Sequence, residues 1–132
     1  MSAHEFPVRI YYEDTDFSGN VYHAAYLKFF ERGRTEFLRA LGIHHSELAQ
    51  QGLAFAVRSM EIEFLAAARI DDLLTVTTKV AEATGVRLIL DQTILRDQTV
   101  LTRARVLVVA IKTGGGPARL PPELRARLEA DA

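Results

Sequence analysis

The sequence predicts an α+β domain in which one long helix is covered by one antiparallel sheet. Three observations carry that expectation. Apolar residues recur at helical spacing along one extended stretch, at Tyr26, Phe30, Gly33, Phe37 and Leu41. Further on, four segments between Ser59 and Ile111 alternate or run apolar as strands do, separated by short polar breaks. A further strand precedes the helix, so the order is strand, long helix, four strands.

In chain order, Val8, Ile10 and Tyr12 alternate with Arg9 and Tyr11, the pattern of a half-buried strand. An acidic turn and Gly19 follow, and the long helix is expected from about Ala24 to Leu41, with Gly42 as its C-terminal stop. Lys28, Arg32, Glu36 and Arg39 form the opposite, charged face, and Arg32 and Glu36 are spaced for an i,i+4 pair. Gly33 on the buried face costs about 1 kcal/mol of helix propensity relative to alanine. Its missing side chain is read as the place where a sheet comes close. Ser46 to Gln51, capped by Ser46 and ended by Gly52, reads as a short second helix.

The strands follow. Met60, Ile62 and Phe64 alternate with Ser59, Glu61 and Glu63, and Leu74, Val76, Thr78 and Val80 alternate with more polar neighbours. Val86 to Leu95 and Val100 to Ile111 complete the set, and the short breaks predict antiparallel pairing of neighbours. Thr113 to Pro117, with its three glycines, reads as a flexible connector, and Pro121-Pro122-Glu123 opens a last short helix. Residues 1–132 are thus expected to form a single domain, with 113–132 as linker and short C-terminal helix.

Composition narrows the function classes. A chain of 132 residues, 48% apolar, supports one packed core. A net charge of −1 and the lack of a basic stripe with interleaved aromatics argue against nucleic acid as a partner. Cysteine is absent, which removes disulfides, thiolate metal sites and a cysteine nucleophile, and agrees with a reducing compartment. No secretory pattern and no apolar run of membrane-spanning length occurs, so the cytoplasm is the expected location.

The densest chemistry lies between Tyr11 and Tyr26. Asp16 and His23 stand seven residues apart beside a helix start, whose free N–H groups favour negative charge. An ionised Asp16 could attack an acyl carbon or deprotonate water. Spacing alone leaves open that Asp14, Thr15 and Asp16 only shape a turn and cap the helix. His23 could bond a substrate carbonyl or a catalytic water, and its backbone N–H could hold an oxyanion, or it could simply pack at the helix start. Tyr12 either packs or reaches the site with its hydroxyl, and Tyr11 and Tyr22 share that ambiguity. Tyr26 belongs to the core by its helical spacing.

Other chemistries find no support. His44 and His45 are adjacent, so their side chains diverge, and no third ligand stands nearby for a metal. No G-x-S-x-G elbow occurs, and Gly114 to Gly116 is neither a P-loop nor a dinucleotide fingerprint. Glu31 and Glu36 are alternative carboxylates on the helix, although Glu36 shares a charged face with Arg32.

The run Y-Y-E-D-T-D-x-x-G-x-V-Y-H-A-x-Y-L-K-F-F-E-R-x-R-T-E, from Tyr11 to Glu36, resembles the hotdog-fold acyl-CoA thioesterases of the 4-hydroxybenzoyl-CoA thioesterase superfamily, most closely the YbgC-type branch. The order of strands agrees over nearly the whole chain. The resemblance implies a hotdog domain, its sheet wrapped around the helix, working as a homodimer or homotetramer. It implies hydrolysis of an acyl-CoA, or of an acyl-carrier-protein thioester, to a free acid without metal or other cofactor. Asp16 would act as nucleophile or general base, with His23 and Tyr12 as further active-site residues. Gly19, Val21 and Tyr22 would border the substrate, the amide at position 23 would polarise the thioester carbonyl, and Arg58 would meet a CoA phosphate. Phe17, Ser18, Asn20 and Ala25 depart from the usual motif, and Phe17, Asn20 and Ala25 mark where acyl preference would be set. The same fold also serves non-catalytic acyl-thioester binders and dehydratases. The intact Asp16 and His23, in thioesterase order, favour hydrolysis over both.

Overall fold

A computed structural model describes residues 3–132. The first strand, β1 (His4–Arg9), is shorter than the alternation predicts. The Tyr11 N–H donates to the Asp14 carboxylate (2.8 Å), which pulls Tyr12–Asp14 into a 3₁₀ turn, so Tyr12 leaves the strand. The long helix α1 (His23–Ala40) buries Tyr26, Phe30, Gly33 and Phe37, as its spacing predicts. It ends in a Schellman arrangement around Gly42 (φ +77). The Gly42 amide bonds the Arg39 carbonyl and the Ile43 amide bonds the Leu38 carbonyl, both at 2.9 Å. The expected Arg32–Glu36 pair is not formed. Glu36 meets Arg39 instead (3.3 Å), and Arg32 lies over the Phe29 ring, 6.0 Å from its centroid. The short helix α2 (His45–Gln50) is capped by His44 backbone, so Ser46 sits inside the helix and caps nothing.

Five antiparallel strands wrap α1: β1, β2 (Leu53–Phe64), β3 (Leu73–Ala83), β4 (Arg87–Arg96) and β5 (Thr99–Lys112), in the order β1-β3-β4-β5-β2. The hairpins β3–β4 and β4–β5 follow the short breaks in sequence. β2 does not pair with its successor β3; it crosses to the far edge and pairs with β5. Arg58 is the extra residue of a bulge where β2 shifts register between Val57 and Ser59. This is the hotdog architecture implied by the Tyr11–Glu36 motif.

Helix and sheet meet at Gly33, where an added Cβ would stand 2.6 Å from Val76 Cγ1. Beside it lies the polar tie of the core. The Gln92 side-chain amide, 1% exposed, donates to the Phe30 carbonyl and to Thr78 Oγ1, both at 3.0 Å. It accepts from Arg34 Nη1 at 3.1 Å. A buried amide with both ends bonded fixes the rotation of α1 on the sheet more tightly than apolar contacts alone.

The glycine run forms a compact hydrogen-bonded turn. Gly115 and Gly116 take left-handed backbone (φ +104 and +93), the Lys112 amide bonds Gly116 O (3.0 Å), and Ala118 N–H reaches Ala110 O (3.1 Å). The chain thereby doubles back along β5 into the last helix, α3 (Pro122–Asp131), which begins on Pro122 and buries Leu128. Arg127 ties α3 to the end of α1 by donating to the Leu41 and Gly42 carbonyls (3.4 and 3.3 Å). Among the described residues no helix is long and apolar enough to cross a membrane.

Candidate active site

Thr15 and Val21 pair across a tight turn in which the Asp16 N–H bonds Asn20 O (2.8 Å) and the Gly19 N–H bonds Asp16 O (3.1 Å). Gly19 adopts φ +84, a conformation costly for a residue with a Cβ. Asp16 closes the turn with its side chain: Oδ1 accepts from the Ser18 N–H (2.8 Å) and from Ser18 Oγ (2.5 Å). Those two bonds, the hydroxyl first, hold the carboxyl below the ordinary aspartate range, and the charge of nearby His23 adds to them. The carboxylate is solvent-exposed, and its Oδ2 has no hydrogen-bond partner among the described residues. Asp16 therefore offers one engaged oxygen and one free oxygen, in the charged state.

The loop is clamped onto the segment before β3. The Val21 amide bonds Ala68 O (2.9 Å), the Ile70 amide bonds Gly19 O (3.3 Å), and the buried Tyr26 hydroxyl accepts from the Ala68 amide (3.0 Å). Tyr26 is thus core, as its spacing predicts, and braces the site from below. That segment is held in turn by Asp72, which accepts from the Arg69 amide and from Arg96 (both 2.9 Å). Partial burial opposes ionisation of Asp72, and these bonds outweigh it, leaving its carboxyl below the usual range.

Tyr22 caps α1 with backbone only. The Ala25 amide bonds Tyr22 O (2.9 Å), while the His23 and Ala24 amides have no partner among the described residues and remain open to a ligand. The exposed His23 ring stands edge-on to Phe64, centroids 4.8 Å apart, and Phe64 leans on Tyr26 at 5.6 Å. Packing orients the imidazole without occupying its nitrogens. A free carboxylate oxygen, an unbonded imidazole and open first-turn amides lie together, a set suited to attack on a carbonyl whose oxygen becomes negative. Among the described residues no group of three potential metal ligands exists.

The structure therefore brings Asp16, His23, Gly19, Val21 and Tyr22 together, with the Val21 amide spent on anchoring the loop. Tyr12 is 82% exposed, and among the described residues its hydroxyl makes no hydrogen bond to Asp16 or His23. Arg58 lies six residues along β2 from Phe64, about 20 Å at strand rise, so one chain does not unite it with Asp16. Sequence reasoning overlooked Ser18 and Phe64 as parts of the site. The D-x-S spacing was the available signal for Ser18, because a carboxylate readily accepts from groups two residues on. Phe64 had none, since only the crossover of β2 brings it to His23.

The profile of the thioesterase-like superfamily matches residues 11–128. The acyl-CoA thioesterase YbgC of Haemophilus influenzae is 46% identical over 123 residues, 92% of this chain and 90% of that protein. The crystal structure of a probable thioesterase from Bartonella henselae, 47% identical, superposes with a TM-score of 0.87 over 91% of this chain and all of that one. A hypothetical protein from Thermus thermophilus, 24% identical, has the same fold over the full length of both chains, with a TM-score of 0.92. The matched stretch contains the Asp16 loop, α1 and the whole sheet from β2 onward, and on that evidence the chain belongs to the thioesterase-like superfamily.

Proposed function

We propose that the protein hydrolyses acyl-CoA thioesters to a free acid and CoA, with Asp16 as the reacting carboxylate. The observation that carries this reading is an ionised Asp16 with a free Oδ2 beside the open amides of the α1 N-terminus. The thioester oxygen would accept from the His23 amide, which stabilises the charge that develops as the carbonyl is attacked. Asp16 Oδ2 would either form a mixed anhydride, expelling the CoA thiolate before water releases the acid, or take a proton from the water that attacks. His23, exposed beside Asp16, would protonate the departing sulfur. Thiol release from a panel of short, long and aromatic acyl-CoAs tests the reading, and absence of release across the panel overturns it. Oxygen-18 in Asp16 after a single turnover in labelled water marks the anhydride route.

Ser18 gives the reading a pH signature. Asp16 is depressed by its Ser18 bonds, so the ionised form persists below the normal carboxylate range and is lost only as pH falls through that lowered value. Ser18→Ala removes the hydroxyl, and the acidic limb of the kcat/KM profile is expected to move to higher pH while activity on the alkaline side is largely kept. An acidic limb that stays in place would show that Asp16 does not govern it.

A second copy is part of the same reading. β2 is a twelve-residue edge strand, whereas the opposite edge, β1, is six residues long and carries Pro7. Val57, Phe64 and Leu65 are exposed on or beside β2, and Tyr12, Phe17 and Tyr22 are exposed on the catalytic loop. Antiparallel self-pairing of β2 would cover that apolar surface and set the Phe64 end of one protomer near the Leu53 end of its partner. Sedimentation equilibrium at micromolar concentration is expected to give a dimer or a pair of dimers; a monomer would refute the pairing.

A further inference from the structure

A cavity of about 330 Å³ lies between α1, α2 and the sheet, bordered by the edge strand β2. Most of its lining is apolar: Leu38, Leu88, Leu90 and Val108 are buried, and Phe55 is half-buried. Into this lining α1 sets the half-buried guanidinium of Arg34. Its Nη1 donates to Gln92 Oε1 at 3.1 Å. Among the described residues it makes no other hydrogen bond and no ion pair. Burial pushes its pKa down and the charge of Glu31 opposes that, but a guanidinium stays protonated in either case. A charge partly withdrawn from water, with most of its donors unused, is costly until a counter-ion arrives. Glu31, one helical turn earlier, is exposed at the rim and beyond ion-pair distance, so water screens it. On the other side His45, its ring edge-on to Phe55 with centroids 6.1 Å apart, adds a ring N–H donor.

We infer that Arg34 selects acyl groups that end in a carboxylate, so that the preferred substrates are CoA thioesters of dicarboxylic acids. The inference rests on the thioesterase reading above and names the acyl class for that same reaction. The chemistry matches part by part. Methylene groups lie along Leu88, Leu90 and Val108, and the planar fork of Arg34 meets the terminal carboxylate. Gln92, bonded to Phe30, Thr78 and Arg34 at once, fixes the height at which that fork stands. An acyl group ending in a methyl leaves the guanidinium without a counter-ion, and that difference discriminates between the two. Arg34 is eleven residues along α1 from His23, about 16 Å at helical rise, so the cavity does not serve the amides of its own helix. Phe55 and Val57 belong to the Leu53 end of β2. Antiparallel pairing through β2 sets that end beside the Phe64 end of the other protomer, on which His23 packs. The cavity of one protomer then receives the acyl chain of the thioester held by the other.

Glutaryl-CoA and valeryl-CoA carry acyl chains of equal carbon count that differ in the terminal charge, and thiol release from each tests the inference. The wild type is expected to favour glutaryl-CoA in kcat/KM by about tenfold or more, the scale of a charge-assisted bond to carboxylate. Arg34→Gln, whose amide can still donate to Gln92, is expected to bring the two esters within about twofold of each other, through a higher KM for glutaryl-CoA. Arg34→Lys keeps the charge without the fork and should fall between. Arg103→Gln, the same charge change at an exposed site on β5, is the control and keeps the wild-type ratio. Titration of both esters into Asp16→Asn protein reads the preference without hydrolysis, and adding Arg34→Gln is expected to abolish it. A wild type that treats both esters alike, or an Arg34→Gln variant that keeps the wild-type ratio, overturns the inference. So does an Arg34→Gln variant that sediments as a monomer while the wild type is a dimer, because Arg34 then pairs with a partner carboxylate instead of substrate. Tighter binding of glutaryl-CoA by Asp16→Asn, with no thiol release from any ester by the wild type, leaves the role of Arg34 in place and refutes the thioesterase reading instead.

Discussion

Asp16→Asn is expected to lower kcat/KM for acyl-CoA hydrolysis by about 10²- to 10⁴-fold, the range in which a positioned acid–base or nucleophilic group acts. The substitution isolates charge from shape. An asparagine oxygen at the Oδ1 position still accepts from the Ser18 amide and hydroxyl, so the turn through Gly19 and the anchor at Ala68 keep their bonds. What is lost is the anionic Oδ2 that, in the proposed reaction, attacks or takes the proton, and an amide nitrogen cannot replace it. Because the side chain is exposed and supports no core contact, thermal stability is expected to match the wild type. Thiol release measured beside a melting curve checks both halves. Turnover within a few-fold of wild type would remove Asp16 from the mechanism, and a collapsed melting curve would make it a structural turn residue.

How far these features could be read without coordinates depended on whether the information was local. The buried face of α1 was legible because a helix repeats its contacts every three to four residues, and Tyr26, Phe30, Gly33 and Phe37 keep that period. The β3–β4–β5 meander was legible because short breaks leave a strand little choice of partner. The placement of β2 was not, since pairing with β5 is decided by closure around the helix and leaves no mark in the alternation of Met60, Ile62 and Phe64. At the candidate site, the motif pointed to Asp16 and His23. The state of Asp16 came from Ser18, a residue noted only as a departure from the usual pattern. Tyr12 was misplaced for a local reason: Asp14 competes for the Tyr11 amide and ends the strand early. Ser46 and the Arg32–Glu36 pair failed in the same way. Spacing shows which side chains could meet, and His44 backbone and the nearer Arg39 took those roles.

Gly33→Ala is expected to destabilise the fold even though it improves helix propensity by about 1 kcal/mol. The added methyl would stand 2.6 Å from Val76 Cγ1, 3.3 Å from Val76 Cβ and 3.4 Å from Gln92 Nε2. Val76 is fully buried in β3, and a β-branched side chain in a strand has little rotamer freedom with which to move aside. The helix must therefore lift from the sheet, which strains the Gln92 bonds to Phe30 and Thr78 and loosens packing along the whole contact. Overpacking of this kind costs about 1–3 kcal/mol, more than the propensity gain, and Gly33→Val should cost more than Gly33→Ala. Urea unfolding of Gly33→Ala, Val76→Ala and the double variant separates the terms. Val76→Ala removes the methyl at 2.6 Å, so Gly33→Ala should cost less in that background than in the wild type, a coupling that contact between the two positions requires. Strict additivity, or a Gly33→Ala variant more stable than the wild type, would mean that the close approach of α1 to β3 does not limit the core.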